Sequence, residues 1–110
     1  MAKAALKRLS DSEFEHIAAH FRALSEVSRL RIVAALQSGE HNVTELVEIT
    51  GLSQPNVSRH LQILLNTGLV ERKKRGLNAL YQIADESLME LCGVVCRGAA
   101  ACRQRRLSTK

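Results

Sequence analysis

The fold is decided by residues 43–68, which read VTELVEITGLSQPNVSRHLQILLNTG. Apolar residues recur at helical spacing on both sides of a Gly51–Leu52 pair. The segment therefore predicts one helix over 43–50, a short glycine-containing turn, and a second helix over 53–67 that stops at a glycine. This order of elements is a helix-turn-helix.

The second helix has a sharply defined start and two different faces. Ser53 is a typical N-cap residue, and Pro55 lies in the first turn, where its missing N–H costs nothing. At about 100° per residue the side chains separate into an outward and an inward set. The outward set is Pro55, Ser58, Arg59, Gln62 and Asn66, and the inward set is Val57, Leu61, Leu64, Leu65 and Gly68.

The outward face has the chemistry of a helix that reads the major groove of duplex DNA. It contains no acid, its amide side chains can pair with adenine edges, and Arg59 can reach guanine or a phosphate. We predict DNA contacts from Ser53, Gln54, Asn56, Ser58, Arg59, His60 and Gln62. His60 falls between the two faces, so packing or a phosphate contact are both open to it. A merely solvated polar face is the alternative for the whole set.

A basic β-hairpin follows the helix-turn-helix. Residues 69–75 and 79–84 alternate with the period of strands around a turn that contains Gly76 and Asn78. A hairpin in this place is the wing of a winged helix-turn-helix, and we expect its cations to contact phosphates or the neighbouring minor groove. These cations are Arg72, Lys73, Lys74 and Arg75. A charged hairpin that serves only solubility is the alternative.

Three more helices are predicted around this unit. The first covers about 11–24 after Ser10 or Ser12 as the cap, and the second starts within 25–28 and stops at Gly39. Its predicted inward residues are Leu30, Ile32, Val33 and Leu36. The last covers about 85–98 after Asp85 as the cap, with a stripe of Leu88, Leu91, Cys92, Val95 and Cys96. The predicted fold is one domain over 1–110, mainly α with a small β-hairpin.

Composition points to a polyanionic partner. The 110 residues include 16 Lys or Arg and 11 Asp or Glu, a formal net charge of +5. Residues 97–110 hold five cations and no acid, so this basic, cysteine-containing tail accounts for the whole excess. Three aromatic residues are too few for stacking on single strands, which leaves duplex DNA. Without a signal peptide or a long apolar run, we expect a soluble, cytoplasmic protein, and its small size favours a dimer.

Two stretches resemble a known family, LSEVSRLRIV at 24–33 and TELVEITGLSQPNVSRHL at 44–61. They are similar to the ArsR/SmtB family of metal-responsive repressors, over roughly residues 20 to 84. The resemblance implies a homodimer built through the first and last helices, an imperfect inverted repeat as the operator, and release of DNA when an inducer binds. Two family metal sites are absent or incomplete. Asn42 and Thr44 stand where a Cys-x-Cys pair is expected, and the last helix keeps Asp85 but has no histidine.

Three cysteines remain as inducer ligands, Cys92, Cys96 and Cys102. Thiolates suit thiophilic metals and metalloids, and the first two, at i and i+4, lie about 6 Å apart at Cβ. On an unbroken helix Cys102 would lie ~15 Å from Cys92. A three-thiolate site therefore requires the helix to end near Gly98 with residues 99–101 folding back, or a thiolate from the partner chain. Some arsenic-sensing members of the family carry three cysteines in this region.

The same cysteines have two other interpretations. Nearby arginines would favour a Cys102 thiolate, which suits a redox or persulfide sensor. Alternatively, Cys92 and Cys96 are small buried hydrophobes of the core. His16 and His20, also at i and i+4, give a weaker candidate zinc site. No permanent cofactor is predicted.

The sequence contains no pattern typical of an enzyme: no nucleophile–base pair, glycine-rich phosphate loop or suggestively spaced carboxylates. The prediction is a homodimeric repressor that binds double-stranded DNA and is released by a thiophilic inducer, with As(III) or Sb(III) favoured. The alternatives are a redox or persulfide-sensing repressor, or an inducer-independent winged-helix module with inert cysteines.

Overall fold

The computed structural model describes residues 8–108; the side chains of residue 88 and of residues 100–108 lie outside the description. Five helices and a two-stranded antiparallel hairpin make up this part of the chain. In chain order they are α1 (Asp11–Leu24), α2 (Val27–Leu36), α3 (Val43–Thr50), α4 (Gln54–Asn66), β1 (Val70–Arg75), β2 (Asn78–Ile83) and α5 (Glu86–Ser108). The predicted fold class, mainly α with a small hairpin, is confirmed.

Helix starts are fixed by side-chain caps, as the sequence predicts. Ser10 forms a capping box with Glu13 at the start of α1, and these hydrogen bonds, from the Ser10 backbone first, lower the pKa of Glu13. Asn42 does the same with Glu45 at the start of α3. The Ser53 hydroxyl accepts the third N–H of α4 at 3.3 Å. α4 therefore begins at a defined residue.

The turn between α3 and α4 is closed by Gly51. Its φ of 76° lies in the left-handed region, where glycine is favoured because it has no Cβ. The Gly51 N–H bonds the Val47 carbonyl at 2.9 Å, which ends α3 and directs the chain into α4. The angle between the two helices of the motif thus depends on this one residue.

The core lies between α2, α3, α4 and the base of the hairpin. Its most deeply buried side chains are Ile32, Val33, Leu46, Val57, Leu61, Leu64 and Leu69. Two predicted inward residues are wrong. Leu30 is 44% exposed, because it faces away from α3 and α4 towards an open apolar groove. Gly68 is exposed, because α4 ends at Asn66 and Gly68 lies in the turn after it. In addition, α2 ends at Leu36, and Gly39, at φ 137°, lies in the turn after it.

The hairpin pairs β1 with β2 from Val70↔Ile83 to Arg75↔Asn78 around a turn at Gly76, φ 61°. Tyr81 is buried, and its backbone also forms a bridge with His41, through N–H···O bonds of 3.0 and 2.8 Å. The wing is thus attached by its second strand to the loop between α2 and α3.

The last helix is longer than predicted. Instead of ending near Gly98, α5 continues to Ser108. The residues after Gly98 are three alanines followed by Cys, Arg, Gln, two further arginines and Leu, and most of them favour helix strongly enough to outweigh one glycine. The folding back at residues 99–101 does not occur in this structure. Among residues 8–108, no helix is long and apolar enough to cross a lipid bilayer.

Candidate functional site

The outward face of α4 is an exposed polar surface without acids. Ser53, Gln54, Pro55, Ser58, Arg59, Gln62 and Asn66 are exposed, and Asn56 is half-buried at the edge of this set. Two hydrogen bonds organise the face. Arg59 Nη2 donates to Asn56 Oδ1 at 3.2 Å, and Gln62 Nε2 donates to Asn66 Oδ1 at 2.9 Å. The arginine and an amide, the two side-chain types that read guanine and adenine, are therefore held side by side.

His60 does not belong to this surface. Its residue is only 6% exposed, and its ring nitrogens lie 3.3 Å from Arg29 Nη1 and 3.7 Å from Glu26 Oε2. The predicted DNA contact from His60 is corrected accordingly: the side chain packs inside, beneath the polar face. Spacing alone does not decide the place of His60, because it follows the buried Val57 by three residues and the exposed Arg59 by one.

The four wing cations are all exposed, but they occupy two faces of the hairpin. Side chains alternate along a strand, so Arg72 and Lys74 share a face opposite to that of Lys73 and Arg75. Glu40 lies 4.0 Å from Lys73 Nζ and 3.6 Å from Arg75 Nη1. Within the part of the chain that the structure describes, Arg72 and Lys74 are therefore the two wing cations without an acid at ion-pair distance.

The sequence interpretation missed Glu40, Glu26 and Arg29. Each acts across an element boundary: Glu40 reaches from a loop to the wing, and Glu26 and Arg29 reach from the start of α2 to α4. Helical or strand periodicity within one segment contains no information about such pairs. No local signal links Glu40 to the wing, because the whole helix-turn-helix separates them in the sequence.

The structure brings two of the three predicted thiol ligands together. Cys92 is half-buried against the core and Cys96 is exposed one turn further on. Burial raises the pKa of the Cys92 thiol, and the neighbouring Cys96 raises it further. Cys102 lies on the same unbroken helix, ~15 Å of axial rise from Cys92. The Cys102 side chain lies outside the described part of the structure. The effect of nearby arginines on its thiolate therefore stays a prediction. Among the described residues, no group of three or more His, Cys, Asp or Glu could hold a metal ion.

Cys92 and Cys96 line an open apolar groove between α1, α2 and α5. Its volume is about 680 Å³. Several large apolar side chains stand exposed along it, among them Phe21 (55% exposed), Val27, Leu30 and Val95 (60% exposed). An exposed apolar surface of this extent on a small domain is typical of a surface that another molecule covers.

The two histidines of α1 contact each other. The His20 Nδ1–H donates to the His16 carbonyl at 2.9 Å, and the rings meet edge to face with centroids 4.4 Å apart. They line a smaller cavity of about 280 Å³ together with Asp85 at the start of α5. Zinc binding at His16 and His20 stays a prediction.

Comparison with known proteins gives one family. Residues 26–72 match the family model described as bacterial regulatory protein, arsR family. A probable mercury resistance operon repressor from Streptomyces lividans is 37% identical over 71 residues, 64% of this chain and 57% of that protein. An arsenical resistance operon repressor from Staphylococcus xylosus is 33% identical over 75 residues, 68% of this chain and 72% of that protein. Against several curated relatives, including the Streptomyces protein, the chain spans only a little over half of their length.

Solved structures agree with the fold. The homodimeric winged helix-turn-helix DNA-binding domain of a possible ArsR-family regulator from Mycobacterium bovis is similar with a TM-score of 0.80 and 30% identity. The alignment covers 89% of this chain and 94% of that one. The predicted winged helix-turn-helix is thereby confirmed, and the proteins that this chain resembles are transcriptional regulators rather than enzymes.

Proposed function

This chain belongs to the arsR family of bacterial regulatory proteins, and on that premise we propose that it is a homodimeric repressor that binds operator DNA. The observation that carries the proposal is the exposed, acid-free face of α4, where Arg59 is hydrogen-bonded to Asn56. In the proposed complex this face enters the major groove, and the wing cations hold phosphates on either side. A repressor works where the DNA is, so the proposal places the protein in the cytoplasm.

The residues proposed to contact DNA are those that the structure leaves accessible. On α4 and its cap they are Ser53, Gln54, Asn56, Ser58, Arg59 and Gln62, and on the wing they are Arg72, Lys73, Lys74 and Arg75. The phosphate contacts supply affinity that falls with salt, whereas Asn56, Arg59 and Gln62 supply the preference for one sequence.

Dimerisation is supported by the apolar groove and by the homodimeric Mycobacterium domain. A second copy seated on α1 and α5 would remove Phe21 and Val95 from water. Two α4 helices related by a twofold axis would then read an imperfect inverted repeat, because the symmetry of the protein imposes that of its site.

The proposed inducer is a thiophilic ion, with arsenite or antimonite as first choice and the mercuric ion as a direct competitor. Cys92 and Cys96 supply two thiolates one turn apart, and soft thiolates select soft ions. The names of the Streptomyces and Staphylococcus relatives, mercury and arsenical resistance repressors, support this class. A third thiolate from Cys102 requires unwinding of α5 or a contribution across the dimer.

The partial burial of one cysteine and the exposure of the other favour a second candidate, a redox or persulfide-sensing repressor in which Cys92 takes no part. Cys92 is packed against the core and its pKa is raised by burial, which is the behaviour of an inert, protonated thiol. The exposed Cys96 is better suited to metal binding or to oxidation and persulfide chemistry.

The experiment is a titration of operator DNA with protein, followed by fluorescence anisotropy or gel shift. A repressor gives one saturable complex that survives competitor DNA, whereas salt-sensitive binding without sequence preference would indicate a nonspecific DNA-binding module. The complex is then titrated with arsenite, antimonite, mercuric, cadmium and zinc ions and a persulfide donor.

The same titrations with Cys92→Ser, Cys96→Ser and Cys102→Ser separate the inducers. Release by arsenite that needs all three thiols supports a three-thiolate site, and release by mercuric ion that survives loss of Cys102 supports a two-thiolate site. Release by the persulfide donor alone favours the redox interpretation. No release by any thiophile contradicts the proposed inducer and leaves the DNA-binding proposal standing.

A further inference from the structure

Arg29, in the first turn of α2, connects three helices. Its Nε donates to the Ala23 carbonyl, and its Nη2 lies 3.5 Å from the Arg22 carbonyl, both in the last turn of α1. Its Nη1 lies 3.3 Å from Nδ1 of His60 on α4. Its backbone N–H donates to the Glu26 carboxylate, which caps α2, at 3.1 Å. One guanidinium therefore ties the end of α1 to the DNA-facing helix.

The bond to His60 defines the state of that ring. A guanidinium can only donate hydrogen bonds, so His60 Nδ1 accepts and the ring proton lies on Nε2. That Nε2–H faces Glu26 Oε2 at 3.7 Å. Burial lowers the pKa of His60, the charge of Arg29 contributes in the same direction, and Glu26 opposes them. The neutral ring is the form that this contact requires.

His60 lies at the point of α4 where a small rotation matters most. Arg59, its neighbour, is exposed on the polar face, and Asn56, one turn earlier, accepts the hydrogen bond from Arg59. Readout of base edges requires side chains held within about 0.5 Å and 10–20° of the productive geometry. A buried polar contact at the edge of the polar face holds the rotation of α4 in a way that apolar packing alone does not.

We propose that Arg29 is a positioning residue for DNA readout: through His60 it sets the rotation of α4 and transmits displacements of the end of α1 to it. The inference rests on the proposed function. The end of α1 is also a wall of the apolar groove, through Leu24 and Ser25, and the opposite wall holds Cys92 and Cys96. A molecule that moves α1 at the groove therefore changes the angle at which Arg59 and Asn56 are presented.

Substitutions of His60 test the contact without removing the polar group. The Asn side-chain oxygen can occupy the position of Nδ1, whereas the amide of Gln reaches the position of Nε2. We expect His60→Asn to keep the ratio of operator to random-DNA affinity and His60→Gln to lower it about tenfold, the loss of one hydrogen bond to a charged group. Arg29→Lys lowers the ratio similarly, and Arg31→Lys, an exposed cation on the same helix, is the matched control.

Two readouts separate positioning from other roles. In Arg29→Gln, which removes the charge, we expect the dependence of operator affinity on salt to stay unchanged, because the proposal gives Arg29 no phosphate contact. In the DNA-free protein, Arg29→Lys moves the imidazole ¹⁵N resonances of His60 and the amide resonances of Asn56 and Arg59, and Arg31→Lys leaves them in place. These resonances report on the contact even if the wild-type chain shows no preference for operator DNA. Such a lack of preference would contradict the proposed function and not the contact between Arg29 and His60.

The proposal is overturned if Arg29→Lys leaves the resonances of α4 unchanged, or if His60→Gln keeps discrimination while His60→Asn loses it. Equal loss of operator and random-DNA affinity with a shallower salt dependence would also overturn it, because Arg29 would then be a phosphate contact. If Arg29→Lys does not fold, the two His60 variants decide the matter alone.

Discussion

Arg59 is the one cation on the exposed face of α4, and the structure shows it already oriented. The bond from Arg59 Nη2 to Asn56 Oδ1 restricts both side chains before DNA is present. A long flexible arginine otherwise loses rotamer freedom on binding, at about 0.5 to 1.5 kcal/mol for such a side chain. Arg59 and Asn56 therefore form one unit, and their contacts with DNA should not be treated as independent.

We predict that Arg59→Ala weakens operator binding by about 1 to 3 kcal/mol and relaxes the preference at one base pair. Anisotropy titrations on operator and random duplexes measure both effects. Arg97→Ala removes another exposed cation, on α5, and serves as the control. Equal weakening on the two duplexes would show that Arg59 contacts a phosphate and not a base.

At the scale of single residues, the sequence predicts which side chains share the exposed face of α4. It does not predict whether a residue at the edge of that face is buried. The accessible set on α4 follows from 3.6-residue periodicity, and all but His60 of its predicted contacts remain accessible. His60 lies at the boundary of the two faces, where periodicity does not decide. Arg29, 31 positions earlier in the chain, takes it inward. A contact of that sequence separation cannot be found from local pattern.

Among the elements, the wing shows how an acidic residue can moderate a basic surface. Glu40 stands near Lys73 and Arg75, and Glu71 accepts a hydrogen bond from Gln82 across the strands. Half of the wing cations are therefore partly neutralised in the free protein. The other half, Arg72 and Lys74, have no acid within ion-pair distance among the described residues.

Glu40→Gln is expected to bind DNA about two- to fivefold more tightly at low salt, with a steeper salt dependence by up to ~1 unit, because two cations become available to phosphates. The stability of the fold should change by less than about 1 kcal/mol, since exposed ion pairs contribute little. Glu90→Gln on α5 makes the same charge change away from the wing. If both variants gain equally, the effect is one of net charge and not of the wing.

The sequence predicts the bounds of some elements but not of others. The helix-turn-helix and the hairpin are each specified by local signals, Ser53 and Gly51 for the first and strand alternation around Gly76 for the second. The end of α5 is not, because Gly98 is a stop signal only when the residues beyond it do not favour helix. Because α5 continues past Gly98, Cys92, Cys96 and Cys102 of one chain can bind the same ion only if the helix unwinds.

On the scale of the whole molecule, the apolar groove is where several large apolar side chains stay in contact with water. Chains of this size bury a modest share of their apolar surface, and exposed Phe21, Val27 and Val95 show where more could be buried. The groove joins α5 to the two helices that precede the helix-turn-helix. Assembly on this side would leave the polar face of α4 free.

Val95→Glu should raise the dissociation constant of the dimer by about 100-fold, because a carboxylate would be buried without a partner. Sedimentation velocity over a range of concentrations measures it. Ile49→Glu changes an exposed apolar residue outside the groove and should leave the dimer intact. A dimer that persists in Val95→Glu would place the interface elsewhere.

Stability should fall as the solution becomes acidic. Burial lowers the pKa of His60 from its ordinary 6.5, so below that pH the unfolded chain binds a proton that the folded chain refuses. The free energy of unfolding therefore declines from pH 6.5 down to the lowered pKa. Burial alone would raise the pKa of Glu26, but the N–H groups of Arg29 and Ser28 bring it below 4.5, which adds a second loss below that pH.

Urea denaturation from about pH 8 to about pH 3 measures both losses. His60→Asn does not titrate and should lack the first one while keeping the second. If the wild-type protein and His60→Asn instead lose the same free energy of unfolding between pH 6.5 and the lowered pKa of His60, the assignment of the first loss to His60 is contradicted.

The unbroken α5 has a consequence for how such proteins diversify. Val94 and Arg97 are solvent-accessible positions of this helix outside the lining of the apolar groove, where substitutions usually change stability by within about 0.5 kcal/mol. Ligand-binding side chains can be gained or lost there one at a time, without opening a cavity in the core beneath α4. The chemistry that is sensed and the sequence that is read can therefore be inherited separately, each revised while the other is kept.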